Sequence, residues 1–567
     1  MLQRHPGIAV AIPLLLQMLF PQHALAQGAG NLVPSTFEPQ GQQSAGTVRV
    51  ARDPGAVVPA GADRLSVSVG NVRIEGAFPQ LAEANAAFEQ SLAGKRVQVS
   101  EIFLATSQLE AAYSNAGYVL SRVVLPQQEI RDGGTLRIVI VDGFIERIDA
   151  TGVPDPARAR AVQITAPLAQ QRQVRLEDIE RALLLAGDTY GASLSSTLAT
   201  GQSAGGTELV IDGDFRKYTG FVGLDNTLSD DLGTLNLSFG AEMNGALKMG
   251  ETIYLRAGGS PVDYFTDSAR YRYLAAGAVF PIGYDGLTFN IEGTSSDSQP
   301  DVDLFPNESS FDRLSFRLFY PWIRSRQRNL STQLIFDRVW DSQDLLLGST
   351  EFPIYEDNFS ALRASIDGSW NFENGSFLQA SVVLSKGFGA DTESSSDDTP
   401  LSRQGASKDF TKLVFAAAYD RPLSPNWSLA VNGRIQSSFG EALVTSEQFT
   451  IANTSELSTF DAGDVRGDSG WVVRTELGRL QKFDLFGFPL LSNLYTFGAY
   501  GAVSLEEPTI FEKDEASAYS YGIGADLMTI EESPYRSGSV RVEYGRGERD
   551  DLGSDGNRFT IIASRRF

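Results

Sequence analysis

The residue types that most often carry out chemistry are scarce in this sequence. The 567 residues include no cysteine and only two histidines, His5 and His23, both close to the N-terminus. Zinc sites built on Cys or His, Ser-His-Asp triads and thiol nucleophiles all need an imidazole or a thiolate. They are therefore excluded from the rest of the chain, and we expect a protein that is not an enzyme.

Carboxylate and hydroxyl clusters offer one further kind of chemistry, the binding of a metal ion. Residues 394–398 (Ser-Ser-Ser-Asp-Asp) could supply oxygen ligands for Ca²⁺, but they lack the spacing of a calcium loop. A solvated loop explains them better. The sequence also has no Gly-Lys-Ser loop of the kind that binds phosphate. We predict neither a metal nor a cofactor.

Another notable group of polar and charged residues lies between positions 446 and 469, just before an amphipathic segment at 471–477. It includes the tripeptide Val465-Arg466-Gly467. The sequence predicts a long polar loop that runs into a strand, with many further strands forming a wall around it.

The N-terminal segment has the features of an export signal. Arg4 is followed by a mostly apolar run from 7 to 20 and then by Ala24-Leu25-Ala26, which suits cleavage before residue 27. A membrane-spanning helix is the alternative, but Pro13 interrupts the run, which falls short of the roughly 20 residues such a helix needs. We expect 1–26 to be a signal peptide.

Residues 27–62 are predicted to be a flexible linker. They contain four prolines and no sustained helical or alternating period, so we expect no plug helix there. The net charge of −23 over the whole chain argues against a nucleic-acid partner, because nucleic acids are bound through clustered Lys and Arg.

Two small α+β domains are predicted next. Residues 63–142 show the order β-α-α-β-β, with strands at 66–75, 118–125 and 136–141. A helix near 79–92 precedes a clearer one, in which Ile102, Leu109 and Tyr113 share a face. Residues 143–213 form a shorter copy of this domain.

The remaining residues, 214–567, alternate between apolar and polar positions, as in Leu237 and Phe239 against Ser238 and Gly240. About 16 strands, short turns and long Ser- and Asp-rich loops indicate an all-β transmembrane barrel in the outer membrane. Soluble sandwiches and β-helices also alternate, but an exported chain with Phe, Tyr and Leu on its outer faces favours the barrel.

Several motifs make a family resemblance specific. They are Ala116-Gly117-Tyr118, Leu125-Pro126-Gln127-Gln128, Asp132-Gly133 and Val141-Asp142-Gly143, with Asp225-Asn226 and Gly250-Glu251 in the barrel. The first domain resembles the ShlB-type POTRA domain (POTRA domain 1), and the second is similar to POTRA domain 2 of two-partner secretion transporters, the TpsB family.

This resemblance implies an outer-membrane translocator that exports an unfolded partner protein, with the POTRA domains in the periplasm. The terminal Phe567 resembles the signal that the barrel-assembly machinery recognises. Outer-membrane lipid would surround the barrel, which we expect to be a monomer. An assembly or surface-display factor and a passive diffusion channel are the alternative functions.

In the TpsB family, an Arg in a Val-Arg-Gly-Tyr tip of the sixth extracellular loop meets an Asp in a Phe-x-Asp-x-Gly motif on the barrel wall. The family's loop-to-strand motif falls on Gly467, Asp468, Ser469 and Gly470. Counting back places the loop tip on Leu457, Ser458, Thr459 and Phe460. The wall motif falls on Phe497, Ala499 and Gly501. Ser458 and Ala499 thus replace both charged partners, which predicts a loop held by weaker contacts.

A second assignment keeps Arg466 as the fastening residue, paired with Asp468, Glu476 or Asp526. Arg466 could equally be an exposed loop cation. In every case, residues 446–469 form a plug-like loop, called the plug loop below.

Overall fold

The structure is a computed structural model that describes residues 28–33, 37, 49–50, 58–303, 305–389, 399–485, 487–530, 535–551 and 553–567. The predicted signal and the Ser and Asp cluster at 394–398 lie outside these residues. Two compact units are present: one comprises residues up to 41 together with 216–567, and the other comprises 42–215. Helix α1 spans Ala29–Leu32 and strand β1 spans Arg49–Val50.

The first α+β domain packs two helices on one sheet with the strand order β3-β2-β5-β4. Its elements are β2 (Ser66–Glu75), α2 (Ala82–Leu92), β3 (Lys95–Gln98), α3 (Val99–Asn115), β4 (Arg122–Val124) and β5 (Gly134–Val141). Helix α3 buries Ile102, Leu109 and Tyr113 in the core. Strand β3 is not anticipated from the sequence, because Val97 is its one apolar residue.

The second domain repeats this arrangement. Its elements are β6 (Phe144–Gly152), α4 (Asp155–Thr165), α5 (Leu176–Gly187), β7 (Ala192–Thr200) and β8 (Gly206–Phe215). The sheet order is β1-β7-β8-β6, because Arg49 and Val50 pair in parallel with Thr197 and Leu198. Part of the β7 edge is therefore covered by a strand from the preceding segment.

Sixteen antiparallel strands close into a barrel, as the sequence predicts. They are β9 (Tyr218–Asp225), β10 (Asn236–Asn244), β11 (Thr252–Gly259), β12 (Tyr271–Ile282), β13 (Leu287–Ser298), β14 (Asn307–Arg324), β15 (Arg328–Leu347), β16 (Thr350–Asn371), β17 (Phe377–Phe388), β18 (Thr411–Ser424), β19 (Trp427–Ser437), β22 (Ser469–Leu485), β23 (Phe488–Ser504), β24 (Glu515–Thr529), β25 (Ser537–Arg549) and β26 (Gly556–Arg566); the short strands β20 (Phe449–Thr450) and β21 (Arg466–Gly467) lie in the plug loop. Leu237, Phe239 and Leu255 are exposed on the outer face, as a lipid-facing surface requires.

The last strand, β26, pairs with the first, β9, over only five residue pairs. The side chain of Asn226 lengthens this seam: its Nδ2 donates to Phe559 O (2.7 Å), and its Oδ1 accepts from Ile561 N (2.8 Å). At the other end, the backbone of Phe567 exchanges two 2.9 Å hydrogen bonds with Gly220. The C-terminal aromatic residue therefore ends the wall.

Helix α1 is not anticipated from the sequence, since four residues give no amphipathic period. It packs against the barrel: Ala29 N donates to Ser309 Oγ (3.0 Å), and Leu32 O accepts from Tyr271 OH (2.8 Å). Among the described residues, no helix is long and apolar enough to cross a membrane.

Candidate functional site

The plug loop turns into the barrel lumen. Strand β19 pairs directly with β22, so the loop between them leaves the wall without interrupting it. Its apolar residues, including Phe449, Ile451 and Leu457, are fully buried, and they pack on Val472 and Ala499. Since Trp471 and Val473 are exposed on the outer face, alternation places Val472 and its packing partners inside.

The predicted tip, Leu457 to Phe460, lies against the inner wall. Ser458 Oγ donates to Glu543 Oε2 on β25 (2.5 Å), and Ser458 O accepts from Thr560 Oγ1 on β26 (3.3 Å). Thr459 shares a hydroxyl hydrogen bond with Ser520 of β24. Three neighbouring strands therefore contact the tip.

A buried ion pair forms the centre of this contact. Arg474 of β22 is 0% exposed, and its Nη2 lies 2.6 Å from Glu543 Oε1, a side chain that is 2% exposed. Arg474 Nη1 also donates to Ser458 Oγ (2.9 Å) and to Glu456 O (3.1 Å). Tyr495 OH donates to the same Glu543 oxygen (2.6 Å). The pair is hydrogen-bonded on several sides, which a buried charge requires.

The three residues of the predicted wall motif lie beside Arg474 and the plug loop. Arg474 lies over the Phe497 ring, with its Cζ 4.0 Å from the ring centroid. Ala499 is the direct cross-strand partner of Arg474. A Cβ at Gly501 would come within 3.0 Å of Ile451 Cδ1 in the plug loop. The motif therefore lines the surface that receives the loop.

The charges at this site differ from the sequence-based expectation. Ser458 and Ala499 carry no charge, and the structure places the charged pair Arg474 and Glu543 beside them, where the sequence led us to expect weaker contacts. The alternation of 471–477 does put Arg474 on the inner face. It gives no sign of Glu543, which comes from a strand 69 residues further along.

Carboxylates of the plug loop form ion pairs with cations on the barrel wall. Arg434 of β19 makes two hydrogen bonds to Glu456, of 2.9 and 2.7 Å. Glu447 lies between Arg363 of β16 (2.6 Å) and Lys412 of β18 (2.8 Å). Burial opposes ionisation of Glu447, but the two cations outweigh it and lower the pKa of this carboxyl to about 2. The loop is thus fastened mainly by acids on the loop and bases on the wall.

Residues 467–470 join the plug loop to β22. Gly467 pairs with Phe449 across the β20–β21 hairpin, and Ser469 and Gly470 begin the strand. Asp468 is fully buried: it accepts from Arg403 Nη1 (2.6 Å), Leu443 N (3.0 Å) and Glu506 N (2.7 Å). Asp468 therefore ties together three connections at one end of the barrel.

Arg466 lies in β21, where its backbone pairs with Thr450. Burial, together with the nearby Arg403 charge, lowers the pKa of its guanidinium to about 10. The three carboxylates proposed as its partners pair with other cations: Asp468 with Arg403, Glu476 with Arg474, and Asp526 with Arg541. The geometry thus gives these three acids other partners than Arg466.

No group of three or more His, Cys, Asp or Glu side chains in the described part of the chain is arranged to hold a metal ion. The site is a set of contacts between a loop and a wall, and its chemistry is that of ion pairs and hydrogen bonds. Such an arrangement can hold a segment in place and release it.

Two sequence-family models match this chain. The model described as haemolysin secretion/activation protein ShlB/FhaC/HecB matches residues 205–526, more than half of the chain. The chain belongs to this family. The ShlB-type POTRA domain also matches residues 67–143. The chain is therefore an outer-membrane transporter of the two-partner secretion class, with POTRA domains in the periplasm, as the sequence predicts.

Two known transporters are similar in sequence to this chain over most of their length, and a solved structure has a similar fold. The outer membrane transporter CdiB of Escherichia coli O6:K15:H31 is 23% identical over 551 residues, which cover 94% of this chain and 86% of CdiB. The heme/hemopexin transporter protein HuxB of Haemophilus influenzae strain 86-028NP is 22% identical over 454 residues, 78% of this chain and 77% of HuxB. The solved structure of CdiB from Escherichia coli matches the whole fold with a TM-score of 0.67, 19% identity and full coverage of both chains.

Proposed function

We propose that this chain exports its partner protein in an unfolded form through the barrel lumen, and that the plug loop leaves the lumen as the cargo enters. The pairing of β19 directly with β22 carries this proposal. The plug loop forms strand pairs only within its own hairpin among the described residues, β20 with β21. Its departure would break side-chain contacts and isolated backbone hydrogen bonds, such as Ala462 N to Thr227 O, while the barrel wall stays closed.

Uptake of the cargo is proposed to occur at a sheet edge in the first POTRA domain. Strand β2 pairs with β3 over Ser66 to Val69, whereas its pairing with β5 continues to Glu75. The second half of β2 can therefore accept an added strand, which is a common way to bind an extended peptide without reading its sequence closely. The groove beside a helix is the other possible docking place. Cargo folding outside the cell would make the passage irreversible.

Two further partners, outer-membrane lipid and the barrel-assembly machinery, are proposed from the features of the barrel. Its exposed Leu and Phe residues suit outer-membrane lipid, and the terminal Phe567 suits recognition by the barrel-assembly machinery. A closed wall needs no second copy, so the transporter works as a monomer. Export by this route needs no catalytic residue.

Deletion of residues 63–213 tests the proposal. Secretion of the partner should stop while the barrel still conducts ions in a planar lipid bilayer. Continued secretion would contradict uptake by the POTRA domains. A general loss of outer-membrane proteins in cells lacking the chain would instead favour an assembly factor. Free passage of small solutes through the resting barrel would favour a diffusion channel.

A further inference from the structure

Four carboxylates of the plug loop form ion pairs with cations of the barrel wall. Glu447 contacts two cations and each of the other acids contacts one. The contacts, by atom pair, are Glu447 Oε1 to Arg363 Nη2 at 2.6 Å, Glu447 Oε2 to Lys412 Nζ at 2.8 Å, Glu456 Oε2 to Arg434 Nη2 at 2.7 Å, Asp464 Oδ2 to Arg549 Nη1 at 2.8 Å, and Asp461 to Arg558 Nη1. These five wall cations are called the cationic track below.

The cationic track follows the wall from β16 through β18 and β19 to β25 and β26. Its loop partners are separated by three to nine residues along the chain, at positions 447, 456, 461 and 464. A single chain segment that carries acidic residues a few positions apart, and that can turn back as the plug loop does, is therefore the ligand that fits the track. Nucleic acid, whose phosphates repeat at a short and regular interval, fits it poorly.

Two positions on the track are shaped for carboxylates. Arg434 donates through Nε and Nη2 to the two oxygens of Glu456, and Arg363 donates through Nη1 and Nη2 to the two oxygens of Glu447. Paired N–H donors facing paired oxygens give such contacts both strength and geometric specificity.

Departure of the plug loop would leave the track short of negative charge. Arg363 would retain Asp337 at 2.8 Å, and Arg549 would retain Asp551. Lys412, Arg434 and Arg558 have their ion-pair partners in the loop. The open lumen would then carry uncompensated positive charge at these places, so a segment that brings carboxylates to them is attracted there and stabilises the open state.

We propose that the cationic track is a binding site for acidic side chains of the exported chain, which replace the loop carboxylates as the plug loop leaves. This inference rests on the proposed export function. It assigns the substrate class: segments in which Asp or Glu recur every few residues.

Planar-bilayer recordings on the full chain can test this inference with poly-L-glutamate as the probe. The variant E447Q/E456Q/D461N/D464N frees the track, and its open pore should favour anions in a KCl gradient. Poly-L-glutamate should block the pore at a concentration about tenfold lower than it does after R434Q and R558Q are added. Poly-L-glutamine, which has no charge, should block neither variant at these concentrations.

Arg256 provides a matched control, because it is a lumen-side arginine paired with Glu242 of the wall and lies outside the track. R256Q in the freed variant should leave the block unchanged. If the fourfold variant does not fold, E456Q alone with and without R434Q allows the same comparison. A cation-selective pore, or a block that is insensitive to R434Q and R558Q, would overturn the inference.

The outcomes separate this inference from the proposed function. If the predicted block is seen but no partner is secreted in cells, the export proposal fails while the track remains an acidic-peptide site. If secretion proceeds and the block is absent, export stands and the track is not the site of passage.

Discussion

Arg474 and Glu543 form a fully buried ion pair, 2.6 Å between Nη2 and Oε1, that the hydroxyl of Ser458 joins from the tip of the plug loop. In the family pattern, the loop supplies an Arg and the wall an Asp. Here both charged groups belong to the wall, and the loop contributes a neutral hydroxyl.

Breaking this pair on one side should loosen the loop. E543Q removes one of the two carboxylates on buried Arg474 and leaves Glu476 at 2.7 Å, so it should cost less than a fully unpaired buried charge, which costs about 3 to 5 kcal/mol. We expect frequent opening events in single-channel recordings and a lower thermal unfolding temperature. R474M combined with E543Q removes both charges, so its effect should be smaller than that of E543Q alone. A double variant that is worse than E543Q would contradict the buried pair as the cause.

Introducing the family's Arg and then its Asp should change the pore noise in opposite directions. S458R would bring a second guanidinium next to Arg474, so the pore should become noisier than that of the parent. Adding A499D places a carboxylate directly across the strands from Arg474, which should bring the noise back towards the parent level. A quieter pore in S458R alone would contradict the contact between Ser458 and Arg474.

Close packing at the tip gives a test that leaves every charge in place. A Cβ at Gly547 would lie 2.5 Å from Thr459 Oγ1 and 2.7 Å from the Phe460 ring. G547A should therefore displace the tip at a cost of about 1 to 3 kcal/mol and raise the resting conductance. G498A is the control, since a Cβ at Gly498 meets no atom within 4 Å. Equal conductance in the two variants would contradict the position of the tip.

The plug-loop carboxylates should respond differently to acid. Burial raises the pKa of the Asp461 carboxyl, although Arg558 opposes it, whereas the pKa of Glu447 is lowered to about 2. A carboxyl with a lowered pKa contributes stability above its unfolded value of 4.5 and loses it only as the pH falls towards 2. As the pH falls from neutrality, Asp461 should therefore release Arg558 first.

Channel noise measured between neutral pH and about pH 4.5 can check this order of release. Because burial raises the pKa of the Asp461 carboxyl in the plugged state, protonation favours that state, and the parent should become quieter across this range. D461N, which already lacks that charge, should be quieter than the parent at neutral pH and change little as the pH falls. A steep response that survives in D461N would assign the acid sensitivity to another group.

The barrel could be predicted closely because each strand must separate a lipid face from a lumen face. That requirement makes apolar and polar residues alternate along each strand. The alternation predicts about 16 strands, and the barrel has 16. The clearest mismatch is β16, which begins at Thr350 although the alternation indicates a start near Asn358. At 22 residues it exceeds the roughly 9 to 11 that a membrane strand needs, so one end has no lipid face to generate the pattern.

The site could be predicted only in part. The family resemblance places the tip at Leu457 to Phe460 and the wall motif at Phe497, Ala499 and Gly501, and these assignments stay predictions. It could not supply Glu543 or Arg558, because contacts across a lumen join strands far apart in sequence and leave no local period. Alternation tells which face a residue occupies, and the closed barrel decides which residues meet there.

Movement of the plug loop during export is the central claim, and a reversible cross-link between loop and wall tests it most directly. The chain has no cysteine, so T459C and S520C, which replace two residues in hydroxyl contact, would form the only disulfide. S539C and S564C link β25 to β26 without touching the loop and serve as the control. We expect oxidation to stop secretion in the first pair alone, and reduction to restore it. Undiminished secretion with the loop cross-linked to Ser520's position would contradict the account.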